Sequence, residues 1–178
     1  MSADLTAADV AILQRVADIQ RSSGGRVRIV AHAAEDAFGS SVAVDTETLG
    51  LRPHRDRLCL VQLSAGNNEA HLVQLDGKDW SAPRLKALLA SPDVLKIFHF
   101  ARFDVASLQR WLGVATTPIW CTKIASKLAR TYTDRHGLKD ILKELLGIEA
   151  NKQQQSSDWG AHVLSDAQKQ YAAQDVIY

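Results

Sequence analysis

The sequence contains little cysteine or proline and no long apolar run. Its 178 residues include two cysteines, Cys59 and Cys121, and four prolines. Two cysteines outside any Cys-x-x-Cys pair do not form a disulfide framework, so reduced thiols are the simplest interpretation. No stretch approaches the ~18 apolar residues of a membrane span, and the first residues lack the basic and apolar regions of a secretory signal. These absences predict a cytoplasmic protein with no membrane partner.

A strong net charge is also absent. The 21 basic and 20 acidic side chains give a formal charge of +1. Proteins that coat long nucleic acids usually carry a basic stripe, so a nucleic-acid substrate would be short, or would be held locally by metal ions and a few basic residues. The apolar fraction of 46% excludes disorder, and the length suits one hydrophobic core.

The apolar pattern predicts an α/β domain at residues 26–178, preceded by an appended helix at 6–21 and a hinge that ends at Gly25. Strands are predicted at 27–30, 42–44, 58–63, 71–75 and 94–98. Helices are predicted at 83–89, 105–112, 121–130, 138–146 and from a cap at Ser165 towards Tyr178. The strands from 42 to 75 resemble an antiparallel meander, and the later alternation of helices and strands indicates a mixed sheet.

Two acidic residues follow the predicted strand at 42–44. Asp45 and Glu47 are two apart, so in extended backbone they point to the same face. Neighbouring carboxylates repel each other, and burying them is costly without a partner. A divalent cation would compensate, and oxygen ligands favour Mg²⁺ or Mn²⁺ over zinc. From these two residues alone, a solvated strand end is an equally good interpretation.

Three further residues extend this pattern, although each has an ordinary structural explanation. Asp104 follows the strand at 94–98, where α/β sheets gather ligand sites, yet Asp is also a common helix cap. Tyr171 and Asp175 are four apart and share one helix face, as a surface hydrogen-bonded pair would. The complete order, D-x-E, then D, then Y-x-x-x-D, is more specific than any one of its members.

That order resembles the DEDDy group of 3′-5′ exonucleases, and within it the ribonuclease D family. The likeness covers residues 42–178 and extends beyond the acids to four motifs: Cys121-Thr122-Lys123, His136-Gly137-Leu138, Ser157-Asp158-Trp159 and Tyr171-Ala172-Ala173-Gln174-Asp175. Longer runs at 45–51, 53–59, 96–100, 131–138 and 152–159 are similar to the nanoRNase C enzymes of alphaproteobacteria. The resemblance implies a ribonuclease H-like mixed sheet flanked by helices.

The resemblance also implies phosphodiester hydrolysis with two divalent cations, Mg²⁺ or Mn²⁺. Asp45, Glu47 and Asp175 would hold the ion that activates water. Asp45 would bridge to the second ion, which Asp104 would support directly or through water. Tyr171 would orient the attacking water, because a phenol with an ordinary pKa near ~10 is a poor base at neutral pH.

The substrate expected from the resemblance is very short single-stranded RNA, especially dinucleotides, cleaved to nucleoside monophosphates. By analogy with short-oligonucleotide exonucleases, Leu51 would wedge between the two terminal bases, with core packing as the alternative. Phe100 would stack on a base or pack in the core, and His136 at a helix start would bind phosphate. The alternative role of His99 is a structural hydrogen bond. The complete set of predicted substrate contacts is Leu51, Thr48, His99, Phe100, Arg135 and His136.

Other functions and assemblies remain open. A general ribonuclease D-like trimming enzyme or a DNA 3′-5′ exonuclease would use the same acids. An inactive exonuclease-like module that only binds RNA would typically lack some of them, and all five positions are filled here. The resemblance implies a ring-like homo-octamer, and relatives continue past the last acidic motif, so a shortened C-terminus is expected at Tyr178. Residues 1–25 match no part of the family.

Overall fold

The computed structural model describes residues 26–29, 38–150 and 153–178. The predicted helix at 6–21 and the hinge lie outside the described residues. The strands are β1 Arg26–Ile29, β2 Ser41–Thr48, β3 Leu58–Ser64, β4 Glu69–Gln74, β5 Leu95–Phe98 and β6 Ile119–Cys121. The helices are α1 Pro83–Ala90, α2 Arg102–Leu112, α3 Thr122–Ala129, α4 Leu138–Ile141, which continues as a π-helical turn at Leu142–Leu146, and α5 Asp166–Ile177.

The six strands form one mixed sheet in the order β1-β4-β3-β2-β5-β6. The neighbours β2–β3 and β3–β4 are antiparallel, whereas β1–β4, β2–β5 and β5–β6 are parallel. This arrangement confirms the predicted meander and the predicted α/β class. No helix in the described ranges is both long and apolar enough to cross a bilayer.

Apart from small shifts in the bounds of other elements, three local features differ from the sequence prediction. Strand β2 continues through Thr48, so Asp45 and Glu47 lie within the strand and not after it. The predicted helix start at residue 121 is wrong, because Ile119–Cys121 pairs with β5 from Lys96 to Phe98 and the helix begins at Thr122. The second half of the predicted helix at 138–146 is π-helical. In the first case long-range strand pairing decides where the strand ends, and in the second case it decides where the helix begins.

Apolar side chains pack on both faces of the sheet. On one face, Val42 and Val44 of β2 belong to a core cluster that includes Leu108 of α2, and each such buried side chain contributes about 1.5–3 kcal/mol. On the other face, Leu60 of β3 and Ala172 of α5 belong to a second cluster. Because side chains alternate along a strand, β2 presents Asp45 and Glu47 on the face opposite to Val42 and Val44.

Candidate active site

Strand β2 holds Asp45 and Glu47, and both side chains are half-buried. In the antiparallel pairing with β3, Asp45 lies opposite Gln62 and Glu47 lies opposite Leu60. Gln62 is fully buried, and its Nε2 donates to Asp45 Oδ2 at 3.4 Å. A register shift follows between Glu47 and Thr48, where the ladder becomes irregular. The pairing with β3 therefore fixes both carboxylates on one face of the sheet, near the carboxyl end of β2.

Helix α5 brings the next two candidate residues, Tyr171 and Asp175, to the same end of β2. The helix begins with a capping box, in which Ser165 Oγ accepts from the Gln168 backbone N–H at 3.3 Å and Gln168 Oε1 accepts from the Ser165 N–H at 2.9 Å. This confirms the predicted cap. Buried alanines of α5 let the helix approach β2, β3 and β4 closely.

Asp45, Glu47 and Asp175 form a compact group of carboxylates. One ligand oxygen from each lies within 4.8 Å of the other two, and within the described ranges no other His, Cys, Asp or Glu group of this size meets that condition. Burial, followed by repulsion from Asp104 and Asp175, raises the pKa of Asp45 well above its ordinary value. Burial and repulsion from the same two residues raise the pKa of Glu47 to about 9.

Asp104 reaches this group from the other face of the sheet. It lies in the first turn of α2, which begins earlier than the predicted start at residue 105, and its side chain is buried. Thr46 Oγ1 donates to Asp104 Oδ1 at 2.7 Å. Burial raises the pKa of Asp104 to about 7, and the Thr46 hydrogen bond opposes that rise. Thr46 points away from Asp45 and Glu47, so this bond ties α2 to β2 on the face opposite to those two carboxylates.

Tyr171 completes the group. Burial, followed by the negative charges of Asp175 and Glu47, raises the pKa of the Tyr171 phenol, and a hydrogen bond with Asp175 acts in the same direction. Its ring lies 5.9 Å from that of Trp159. The phenol therefore stays protonated at neutral pH and serves as a hydrogen-bond donor. Asp45, Glu47, Asp104, Tyr171 and Asp175 all line one cavity of 790 Å³.

The chemistry of this donor set fits a hard divalent cation. The ligand atoms are all carboxylate oxygens, which Mg²⁺ and Mn²⁺ prefer over sulfur or imidazole. Asp45 and Glu47 are ionised only at the cost of burying like charges side by side, and a cation would remove that repulsion. The arrangement can therefore hold a cation beside a protonated phenol, and a bound cation of this kind can promote hydrolysis of a phosphate ester.

Comparison with known proteins identifies the family. A family model described as 3′-5′ exonuclease matches residues 28–178. The chain belongs to this family. Among solved structures, Brucella melitensis NrnC bound to pGG matches this exonuclease domain with a TM-score of 0.81 and 51% identity, over 86% of this chain and 76% of that chain. Escherichia coli RNase D matches with a TM-score of 0.72 and 28% identity, over 85% and 42%.

Curated relatives of the exonuclease domain are longer proteins. The ribonuclease D of Acidiphilium cryptum is 37% identical over 138 residues, which are 77% of this chain and 34% of that protein. The chain thus spans about a third of the length of such relatives. Together with the structural matches, these relatives confirm the predicted resemblance to ribonuclease D and the ribonuclease H-like fold.

Four of the six predicted substrate contacts line the cavity of the exonuclease domain: Thr48, Leu51, His99 and Phe100. Leu51 is 86% exposed, so core packing, the alternative for this residue, is excluded in the structure. His99 Nδ1 lies 3.0 Å from Thr122 Oγ1. Burial, assisted by the charge of Lys123, lowers the pKa of His99 to about 4, so its ring is neutral at pH 7.

Arg135 and His136 do not line this cavity. His136 is buried, and its Nδ1 lies 2.9 Å from Ser126 Oγ. Arg135 is exposed, and its backbone carbonyl accepts from Arg130 Nη1 at 2.8 Å. The turn that contains them is therefore fixed by internal hydrogen bonds, and the geometry gives their predicted substrate contacts no support.

Two lysines that the sequence analysis did not select as substrate contacts do line the cavity. Lys123 lies at the start of α3, and its Nζ is 4.3 Å from the centre of the Phe100 ring. Lys139 lies in the first turn of α4. Both belong to a basic stretch of the sequence that also contains Lys127, Arg130, Arg135 and His136, but only the fold shows that these two line the cavity. Phe100 itself has a φ of 68°, a conformation that side chains other than glycine rarely adopt.

Proposed function

We propose that the chain is a metal-dependent 3′-5′ exoribonuclease that hydrolyses short RNA, dinucleotides above all, to nucleoside 5′-monophosphates. One observation carries the proposal: Asp45, Glu47 and Asp175 place oxygens within 4.8 Å of one another, in a cavity shared with Asp104 and Tyr171. The similarity to NrnC bound to pGG and to ribonuclease D supports the choice of substrate.

Two divalent cations, Mg²⁺ or Mn²⁺, are part of the proposal. Asp45, Glu47 and Asp175 would hold one, and Asp45 and Asp104 would hold the other. Bound cations of this kind lower the pKa of water and neutralise charge on the scissile phosphate. The similarity to Brucella melitensis NrnC with bound Mg²⁺, at 51% identity, supports a cation at this site.

The chain's own side chains orient the reaction. Tyr171, whose O–H is hydrogen-bonded to Asp175, would orient the attacking water, and its raised pKa removes it as a base. Gln62 holds the Asp45 carboxylate, and Thr46 holds that of Asp104. Leu51 and Phe100 offer apolar surface for the bases, and base stacking on aromatic rings contributes about 1–3 kcal/mol per base. Lys123 and Lys139 supply positive charge for phosphate.

A second candidate is a general trimming exonuclease of the ribonuclease D type, acting on longer RNA or on DNA. The similarity to Escherichia coli RNase D favours it. The net charge of +1 favours the short substrate, because a long strand usually requires a basic track. An inactive RNA-binding module would not need all five functional side chains in one cavity.

Homo-oligomerisation and a cytoplasmic location complete the proposal. Support for a second copy comes from α3, where Ile124 is 59% exposed and Leu128 is 75% exposed. Isolated apolar side chains are common on surfaces, but two of them one turn apart form a small stripe suited to contact with another subunit. Sedimentation of the purified chain measures this directly.

The test is a time course on 5′-phosphorylated RNAs of two to ten nucleotides, with Mn²⁺, with Mg²⁺ and with EDTA. We expect steep preference for the dinucleotide, release of monophosphates and no cleavage in EDTA. Asp45→Asn should abolish cleavage, whereas Asp93→Asn, an exposed acid away from the cavity, should not. Equal efficiency on two and ten nucleotides would instead favour the trimming enzyme, and cleavage of a DNA series would favour a DNA exonuclease.

A further inference from the structure

The loop at residues 49–57, between β2 and β3, exposes apolar side chains at the mouth of the cavity. Leu51 is 86% exposed and Leu49 is 52% exposed, and both line the cavity. Leaving a leucine in water forfeits about 1.5–3 kcal/mol of burial. Such exposure at a cavity mouth is typical of a surface that a ligand covers.

The loop is nevertheless held in one shape by its own hydrogen bonds. The Leu49 N–H donates to the Arg57 carbonyl at 3.0 Å, and the Asp56 N–H donates to the Arg52 carbonyl at 2.7 Å. The buried Asp56 carboxylate accepts from the Arg52 N–H at 3.0 Å. A Cβ on Gly50 would lie 2.4 Å from that carboxylate, so the turn closes tightly around it. An exposed leucine is thus carried on a preorganised loop.

Trp111 connects this loop to the helix that carries Asp104. Its Nε1 donates to the Pro53 carbonyl at 2.9 Å. Trp111 lies near the end of α2, and Asp104 lies in the first turn of the same helix, about 10 Å away along the helix axis. One helix therefore holds an acid of the site at one end and the Leu51 loop at the other.

The Trp111 ring is fixed independently of the loop. It packs 5.1 Å from the Trp80 ring at a 31° interplanar angle and against the main core cluster. The guanidinium of Arg110 lies 5.1 Å from its centre. The ring would stay in place without Pro53, so the hydrogen bond orients the loop and is not needed to seat the tryptophan.

We propose that Trp111 is a positioning residue that sets the place of Leu51 relative to the acidic group, and thereby the preference for the shortest substrates. The proposal rests on the proposed function. A wedge selects by length only if its distance from the cleavage point is fixed, and the Trp111 bond to Pro53 fixes it through α2. Trp111 itself touches neither the acids nor the cavity.

The test is a double-mutant cycle with Trp111→Phe and Leu51→Ala. Phenylalanine keeps an aromatic ring against Trp80 and removes the donor. A neutral hydrogen bond contributes about 0.5–1.5 kcal/mol, so Trp111→Phe should raise KM for a 5′-phosphorylated dinucleotide roughly three- to tenfold while kcat changes less than twofold. In the Leu51→Ala background the same substitution should have no further effect on KM. Equal effects of Trp111→Phe in both backgrounds would overturn the proposal.

Amide hydrogen exchange provides a readout that does not depend on activity. Trp111→Phe should speed exchange at residues 49–57 and leave β2 and β3 unchanged. Unchanged exchange in the loop would also overturn the proposal. If the wild-type chain neither binds nor cleaves the dinucleotide, the proposed function fails, and the exchange experiment still decides whether Trp111 holds the loop.

Discussion

Thr46 ties strand β2 to helix α2 beside the acidic site. Its neighbours in β2 point to α5, whereas its own hydroxyl donates to Asp104 at 2.7 Å on the α2 face. A hydrogen bond to a charged group contributes about 1.5–3 kcal/mol. The Thr46 hydrogen bond therefore favours the ionised form of the Asp104 carboxylate and opposes the effect of burial.

We expect Thr46→Val to lower metal-dependent turnover by at least about tenfold, the rate equivalent of losing about 1.5 kcal/mol or more. Valine keeps the shape but removes the donor, so the pKa of Asp104 rises above about 7 and the acid limb of the pH–rate profile moves to higher pH. Thr46→Ser keeps the hydroxyl and should retain the wild-type profile. Identical profiles for valine and serine would contradict this role.

The raised pKa of Glu47 predicts a pH-dependent loss of stability in the absence of metal. In the unfolded chain Glu47 titrates at its ordinary value of 4.5, and in the folded chain at about 9. Its contribution is fully present below pH 4.5 and is lost as the pH rises towards 9, because over this range the folded chain keeps a proton that the unfolded chain has released.

Urea unfolding in EDTA from pH 5 to 9 measures this effect. As the pH rises, the unfolding free energy of wild type should fall relative to that of Glu47→Gln. Mn²⁺ should reverse the trend for wild type, because a ligand that binds only the folded state stabilises it. A difference that does not vary with pH would show that Glu47 is not buried among like charges.

At the scale of elements, α5 determines whether the site assembles. Its capping box anchors the helix start, and Gln168 Nε2 also donates to the Asp158 carbonyl at 3.0 Å, which ties the loop before α5 to the helix. Tyr171 and Asp175 lie one and two turns further along. The position of both functional groups therefore follows from where the helix begins.

We expect Ser165→Ala to destabilise the fold by about 0.5–2 kcal/mol, the usual contribution of such a cap. Thr can also cap a helix, so Ser165→Thr should lose little. Denaturant unfolding of the two variants gives the comparison. Equal stability of the alanine and threonine variants would mean that packing on the sheet, and not the cap, fixes the start of α5.

Elements with strong local signals were predictable from the sequence, and the contacts between them were not. The cap at Ser165 and the three meander strands each have a local pattern. Strand β6 is three residues long and runs directly into α3, so it shows no alternation, and its pairing with β5 is a long-range contact. The hydrogen bond from Thr46 to Asp104 spans 58 residues and has no local signature.

For the site, the spacing within each pair of residues was predictable from the sequence, and the contact between the pairs was not. The spacing of Asp45 and Glu47, and of Tyr171 and Asp175, follows from strand and helix periodicity. That the two pairs meet depends on α5 crossing the sheet, which only the family resemblance implied. Lys123 enters the cavity because α3 begins directly at the end of β6, and the sequence analysis missed that junction.

At the scale of the whole molecule, the fold brings acids from β2, α2 and α5 together at the carboxyl end of β2. Each of these elements packs against the core in the ordinary way. Where they meet, however, the carboxylates lie close together and are partly or fully buried. Concentrated like charge destabilises a fold unless a ligand compensates it. The architecture is therefore explained most economically by a bound cation.

Titration calorimetry with Mn²⁺ tests this claim most directly, on the wild-type chain, Asp45→Asn and the control Asp93→Asn. We predict that wild type and Asp93→Asn bind Mn²⁺ with equal affinity, and that Asp45→Asn binds at least about tenfold more weakly, since even outer-shell partners of metal ligands are worth about 10–100-fold. Equal binding by wild type and Asp45→Asn, or no binding by wild type, would contradict a metal site at these carboxylates.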